Sequence, residues 1–320
     1  RINPETGEYD PLLATELPEY SEDGLTVTVK LREGVTFHDG TPFNSEAVKY
    51  TFDLIKDPDF GSARASIASS IDTMECPDDY TIVFHLLYED GVFTAKLAHT
   101  NSAIVSPTAQ QNQDLMVDPC GTGPYKFVKW NRGDSLEFEA FEDYFEGAPS
   151  IKHMTWKIIP EGSSRTIALE AGEVDMIIEV EAMDVERIES SDEFTLLKHD
   201  STNINWLMLN NEKPGLSNVD VRRAINSVVN KENIVTVALN GMGVASYSQT
   251  PSNLEGATEE KSEKYDVEQA KKYMEQSGVD PSTIQLSIIC SNDQKKRAAE
   301  VIQSDVATLG IDATIESMDL

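Results

Sequence analysis

Residues 31–43 read LREGVTFHDGTPF, and the reading of this stretch decides the fold. His38 and Asp39 stand side by side in a turn bounded by Gly34 and Gly40, with Thr41 just beyond. A histidine beside an aspartate opens many catalytic and metal sites, and it is equally ordinary turn chemistry. The flanks favour the turn. Upstream, GLTVTVKLREG places Leu25, Val27, Val29 and Leu31 on one face, the alternation of a half-buried strand. Downstream, Asn44 suits a helix N-cap before Ser45 and Glu46, and Val48, Phe52 and Ile55 recur at i, i+4, i+7 until Asp57-Pro58 ends the helix. Between the two, Asp39-Gly40 makes a tight turn and Thr41-Pro42 sets the approach to the helix. Every residue of HDGTP has a structural task, so strand–turn–helix is the preferred reading over a catalytic one.

Composition narrows the function. The chain has 320 residues, enough for two domains or one large one, and 39% hydrophobic residues suffice for a real core. With 56 acidic residues against 26 basic ones the formal charge is −30, which repels nucleic-acid phosphates. The acidity fits a highly soluble extracytoplasmic protein better than a salt-adapted one, because lysine outnumbers arginine. Cys76, Cys120 and Cys290 are odd in number and lack a C-x-x-C spacing, so neither a zinc site nor a disulfide framework is indicated. Cys76 with Cys120 is the one pairing to consider; unpaired buried thiols are the expected state. No apolar run approaches the ~18 residues of a membrane span. The chain opens at Arg1 without Met or signal peptide, and reads like the middle of something, with any leader removed or outside it.

Further along, DDYTIVFHL is a strand with Tyr80, Ile82, Phe84 and Leu86 on one face. VFTAKLAHTNSAIVSPTAQQ suggests a helix, a short strand and a proline stop. GTGPYKFVKW and DSLEFEAFEDYF form a meander through Tyr125, Phe127, Leu136 and Phe138, and SIKHMTWKIIP adds a strand. SSRTIALEAGEVDMII gives a helix capped by Ser163 or Ser164 and closed by Gly172, then a strand VDMII. TNINWLMLNN is an apolar strand, and NVDVRRAINSVVNKENIV a helix striped by Val221, Ala224, Ile225, Val228 and Val229. GMGVASYSQTPSNLEGA is loop by composition. Helix YDVEQAKKYMEQSG, capped by Asp266 and closed by Gly278, precedes strand TIQLSIICS, a helix ending at Gly310 and strand IDATIESMDL. That order implies a βαβ unit and a parallel sheet. There is no internal repeat.

Motifs of catalysis are absent: no Walker pattern, G-x-G-x-x-G, G-x-S-x-G or H-E-x-x-H occurs. GTGPY opens a strand rather than a helix, so it lacks the free N–H groups of a phosphate loop. His38, His85, His99, His153 and His199 are dispersed, and no metal or other cofactor is expected.

Taken in order, LREGVTFHDGTPF, DDYTIVFHL, SAIVSPTA, GTGPYKFVKW, ALEAGEVDMI, NNEKPGLSNVDVRRAINSVVNKENIV, YDVEQAKKYMEQSGVD and LGIDATIE resemble the family 5 extracellular solute-binding proteins of ABC importers, the oligopeptide-, dipeptide- and nickel-binding kind. The resemblance implies an α/β fold of the periplasmic-binding-protein type II class, with two lobes and an extra domain, here truncated at both ends. Residues 1–117 would be the extra domain beside lobe one, 118–202 part of lobe one, and 203–320 a hinge strand and part of lobe two. It also implies a non-enzymatic, monomeric protein of the periplasm or cell surface. Such a protein captures peptides between closing lobes and delivers them to ABC permease subunits, with membrane association only through a lipid anchor outside the chain.

On that map Trp206 faces the cleft from the hinge strand, with Asn203 and Asn205 supplying amides for peptide backbone groups. Strand periodicity sets Trp206 opposite the two asparagines, so the three cannot all face one way. Glu179 reaches the lobe-one rim, and Arg64 would pair with a ligand carboxylate. The plainer alternatives are a core aromatic for Trp206 and solvated charges for Arg64 and Glu179. Rival functions are a carrier of nickel chelates, haem or oligosaccharides, a secreted hydrolase on a similar frame, and an adhesion or signalling receptor.

Overall fold

The computed structural model describes residues 1–254, 257–258 and 263–318. Two units emerge, Arg1–Ile159 and Pro160–Leu320. The division lies inside the segment 118–202, so its meander falls in the first unit and its remainder in the second.

The first unit is built around the hydrophobic alternation of the opening stretch. Strand β1 (Glu19–Tyr20) pairs with β2 (Thr26–Lys30), and helix α1 (Ser45–Lys56) follows the HDGTP turn. Strands β3 (Ile71–Asp78) and β4 (Thr81–Leu86) complete an antiparallel sheet of order β1-β2-β4-β3. Val27 opposes Phe84 and Val29 opposes Ile82, which puts both pairs on the face that α1 covers with Val48, Phe52 and Ile55. Asn44 caps α1 by accepting from the Ala47 N–H at 3.0 Å. β3 has no clear counterpart in the sequence pattern, because only Ile71 and Met74 of its eight residues are buried apolar ones.

Helices α2 (Phe93–Ala98) and α3 (Pro107–Asn112) follow. The short strand and proline stop expected here are not formed. Ser106 caps α3 through its Oγ, and Pro107 starts the helix, where its missing N–H costs nothing. The meander then forms as expected: β5 (Tyr125–Asn131), β6 (Ser135–Ala140) and β7 (His153–Lys157), antiparallel in that order.

In the second unit α4 (Gly162–Glu170) is capped by Glu161, not by Ser163 or Ser164, whose N–H groups donate to it. The side chains of Ser163, whose hydroxyl donates to it, and Ser164, together with the Ser164 N–H, hold the Glu161 carboxyl down at about 2. Gly172 follows the helix at φ 69°, the left-handed position expected of it. After α5 (Val185–Glu189), the single helix expected over 218–235 is two: α6 (Val219–Val228) and α7 (Lys231–Leu239). Asn230 causes the break, because its side chain caps the second helix by accepting from the Asn233 N–H at 2.9 Å. The predicted stripe of α6 is buried throughout, and it packs with α8 (Val267–Ser277). Strand β8 (Gln285–Cys290), helix α9 (Asp293–Ala307) and strand β9 (Asp312–Ser317) make the expected parallel βαβ unit. The last two residues of the predicted final strand, and residues 255–256 of the predicted loop, lie outside the described residues.

Two expected strands do not form. VDMII and INWLML run without a ladder, and among the described residues neither makes a backbone–backbone hydrogen bond. Alternation names the face a strand would bury; it supplies no partner.

Candidate functional site

His38 and Asp39 use their polar atoms internally. The His38 Nε2–H donates to the Gly123 carbonyl at 2.9 Å, and Nδ1 accepts from the Gly121 N–H at 3.4 Å. This arrangement defines the neutral Nε2–H tautomer. Asp39 Oδ1 accepts from the Thr41 N–H (2.9 Å) and hydroxyl (2.5 Å), while Oδ2 accepts from the Ser106 hydroxyl at 2.6 Å. Burial pushes the Asp39 carboxyl up, but the Ser106 and Thr41 bonds outweigh it and leave it lower than usual. Burial also raises the neighbouring Cys120 thiol, so it stays protonated rather than becoming a nucleophile. A hollow of about 520 Å³ lies beside the turn, lined by Thr36, His38, Asp39, Lys126, Phe141 and Asp143. The turn is a structural joint, as its sequence implies.

The five candidate ligand residues fall in both units: Arg64 in the first, Glu179, Asn203, Asn205 and Trp206 in the second. Arg64 is exposed, at the start of a 3₁₀ turn over 65–68. Glu179 is exposed and holds φ 57°, a costly conformation for a residue with a Cβ. Its carbonyl accepts from Arg165 Nη2 at 3.1 Å, and Arg165 Nη1 donates to the Pro160 carbonyl at 3.0 Å. That clamp has no signature in sequence, because it bonds main-chain carbonyls, which every residue type carries. Asn203 and Asn205 are exposed, and Trp206 is 60% exposed. Met208 (88%) and Met176 (79%) stand open on the same two unpaired segments. Among the described residues, no hydrogen bond or ion pair links the five candidates to one another.

A second grouping escaped the sequence reading. The Tyr247 ring has Lys231 Nζ at 4.4 Å and Lys264 Nζ at 5.8 Å, and its hydroxyl donates to Glu232. Among the described residues no three His, Cys, Asp or Glu side chains cluster as metal ligands would, and no helix is long and apolar enough to cross a membrane. Cys76, Cys120 and Cys290 are free thiols; Cys120 and Cys290 are buried and Cys76 is half-buried.

Comparison with known proteins adds a frame to these positions. The pattern described as bacterial extracellular solute-binding proteins, family 5 middle, matches residues 8–320. The glutathione-binding protein GsiB of Pectobacterium atrosepticum is 29% identical over 306 residues, covering 94% of this chain and 59% of its own. The chain thus spans less than two thirds of the length of the curated relatives it matches. Among solved structures, the ABC transporter-associated periplasmic binding protein DppA from Helicobacter pylori, in complex with the peptide STSA, superposes with a TM-score of 0.88 at 28% identity. That match covers 98% of this chain and 65% of the other. A dipeptide-binding protein from Pseudoalteromonas, in complex with Met-Leu, gives 0.90 at 24% identity, covering 99% and 68%. The α/β architecture is therefore that of periplasmic binding proteins.

Proposed function

The chain belongs to the bacterial extracellular solute-binding proteins of family 5, and from that membership we propose that it captures peptides outside the cytoplasm and hands them to the permease subunits of an ABC importer. The observation that carries the peptide reading is Trp206. It stands 60% exposed on a segment without a ladder, just after the exposed amides of Asn203 and Asn205. Forming no ladder, the segment is not held to the strand alternation that would set the amides opposite the ring. Such a segment suits a peptide that stacks on Trp206 while amides meet its backbone groups. The complex of the DppA relative with the peptide STSA supports the same class of ligand.

In this reading residues 1–117 form an extra domain, 118–202 contribute to one lobe, and 203–320 supply a hinge segment and part of the other. Closure around the ligand would favour the closed state by differential affinity. Each unit is proposed to offer its own charged contact: Arg64 in the first, a guanidinium suited to a carboxylate, and Glu179 in the second, at the rim of its lobe. No catalytic step is assigned, since the matched relatives are named as binding proteins.

The test is recovery of ligand. Purified protein is denatured, and the released small molecules are sequenced by mass spectrometry. Intact peptides support the carrier; peptide cleavage products accumulating with time would overturn it in favour of a hydrolase. Titration with the tetrapeptide STSA should quench tryptophan fluorescence, and Trp206→Ala should weaken binding by about tenfold or more. No binding by peptides of any length would sink the peptide reading.

A further inference from the structure

The segment Gly121–Pro124 joins two parts of the first unit. Cys120, just before it, belongs to the core beneath the four-stranded sheet, and β5 opens the meander just after it. His38 holds this joint at three points. Its main-chain N–H donates to the Gly121 carbonyl at 2.9 Å, its Nε2–H donates to the Gly123 carbonyl, and its Nδ1 accepts from the Gly121 N–H. The ring also meets Phe141 edge-on, with centroids 5.1 Å apart, and the Phe141 N–H donates to the Pro124 carbonyl at 2.8 Å. One imidazole therefore touches both ends of the joint, and it does so only while Nδ1 carries a lone pair.

We propose that His38 is a pH-operated latch: neutral, it clasps the β5–β7 meander to the core of the first unit at three points, and protonated at Nδ1 it gives up the Gly121 N–H and loosens Gly121–Pro124. A proton on Nδ1 would point at the Gly121 N–H, setting donor against donor. Four titratable groups face the ring or its hollow. Asp39, on the same turn, favours the charged ring, but its carboxylate is already engaged by Thr41 and Ser106. Lys126, on β5, opposes a second positive charge. Asp143 lines the same hollow from beyond β6, and the Cys120 thiol is neutral. Burial is the largest influence and holds the imidazolium below its ordinary 6.5, against the pull of the Gly123 carbonyl. The sign follows: a histidine depressed in the folded state supports the fold above about pH 6.5. That support is lost as pH falls from there through the folded value.

The test uses the whole 320-residue chain with labelled glycine amides and histidine rings, followed by NMR across pH 4–8. The His38 ring should titrate below 6.5, and the Gly121 amide should move with the same midpoint. Exchange protection of the Tyr125–Asn131 amides should fall through that midpoint, by up to about tenfold for each unit separating folded and unfolded values. His38→Gln keeps a donor and an acceptor but does not titrate here, so β5 should lose its pH response while β2 and β4 behave as in the parent. Equal loss of β5 protection in H38Q, or a Gly121 midpoint different from that of the His38 ring, overturns the latch. Should H38Q fail to fold, the co-titration in the unaltered chain decides alone.

Discussion

The two units bury different kinds of side chain. The first is packed with rings: Phe37, Phe43, Phe52, Phe84 and Phe93 are all under 2% exposed. Phe84 stands at the centre, edge-on to Phe52 at 5.4 Å and to Phe93 at 5.2 Å. The second buries aliphatic residues, among them Val221, Ile225, Ile284, Val306 and Ile311, between helices and a two-stranded parallel sheet. Antiparallel hairpins close on near neighbours in sequence, as β1-β2, β3-β4 and β5-β6 do, while β2 meets β4 only across α1 and β3. Parallel pairing needs a crossover and is ordinarily buried on both faces. Ile289, on β8, is still 55% exposed. The first core is sealed by ring volume; the second depends on close helix packing.

The largest expected effect breaks the first core at its centre. Phe84→Ala removes the ring that joins Phe52 to Phe93 and should cost about 3–5 kcal/mol. Hydrogen exchange should accelerate in β2, β3 and β4, with α6, α8 and α9 as the internal reference. Equal acceleration in both units would show that the cores are not separate. A smaller loss comes from Asp90, which is 6% exposed and accepts from Lys96 Nζ and Ser70 Oγ, each at 2.6 Å. Burial raises its carboxyl, but the bonds from Lys96, Ser70 and Val92 win and leave it lowered. Its contribution is therefore present above the unfolded value of about 3.9 and lost as pH falls through the folded one. Asp90→Asn should cost about 2 kcal/mol at pH 7 by urea titration, and the deficit should shrink in acid.

The second core is most sensitive to added volume. Gly215 sits at φ +81°, and a Cβ there would lie 2.8 Å from Cγ1 of the fully buried Ile284. Gly215→Ala should cost about 1–3 kcal/mol, read as faster exchange in α6 and β8. If the variant is as stable as the parent, this core is looser than its burial implies.

The same contrast explains what was legible in the sequence. Around LREGVTFHDGTPF the local bonds, Asp39 to Thr41 and Asn44 to Ala47, agree with the pattern. The bonds of His38 to Gly121 and Gly123 and of Asp39 to Ser106 join distant positions that no local pattern encodes. The α6 stripe and the βαβ order were legible for similar reasons, as periodicity with glycine stops. VDMII and INWLML carry the alternation of strands, yet Met176, Ile178, Trp206 and Met208 are 79%, 71%, 60% and 88% exposed. A ladder depends on a second strand, which no local pattern encodes. The candidate site was legible only as residue types. For Trp206 the sequence leaves both a cleft and a core position open, because residue type alone does not distinguish them. The Arg165 clamp on Glu179 depends on tertiary geometry, so no spacing announced it.

The smallest effect sharpens the comparison, because it runs opposite in sign to Asp90. Asp305, on α9, accepts from the Asn230 N–H at 2.8 Å, where the chain passes from α6 to α7. Burial raises its carboxyl, and the single Asn230 bond does not offset it. The folded state thus holds this proton more tightly than the unfolded chain does. Its contribution is greatest below about pH 3.9 and is lost as pH rises through the folded value. Asp305→Asn keeps an oxygen for the Asn230 N–H and removes the charge, so it should stabilise the second unit at pH 7 by up to about 0.5 kcal/mol. The gain should vanish in urea titrations near pH 3. A loss at pH 7 instead would mean that the carboxylate's bond to Asn230 outweighs the cost of its partial burial.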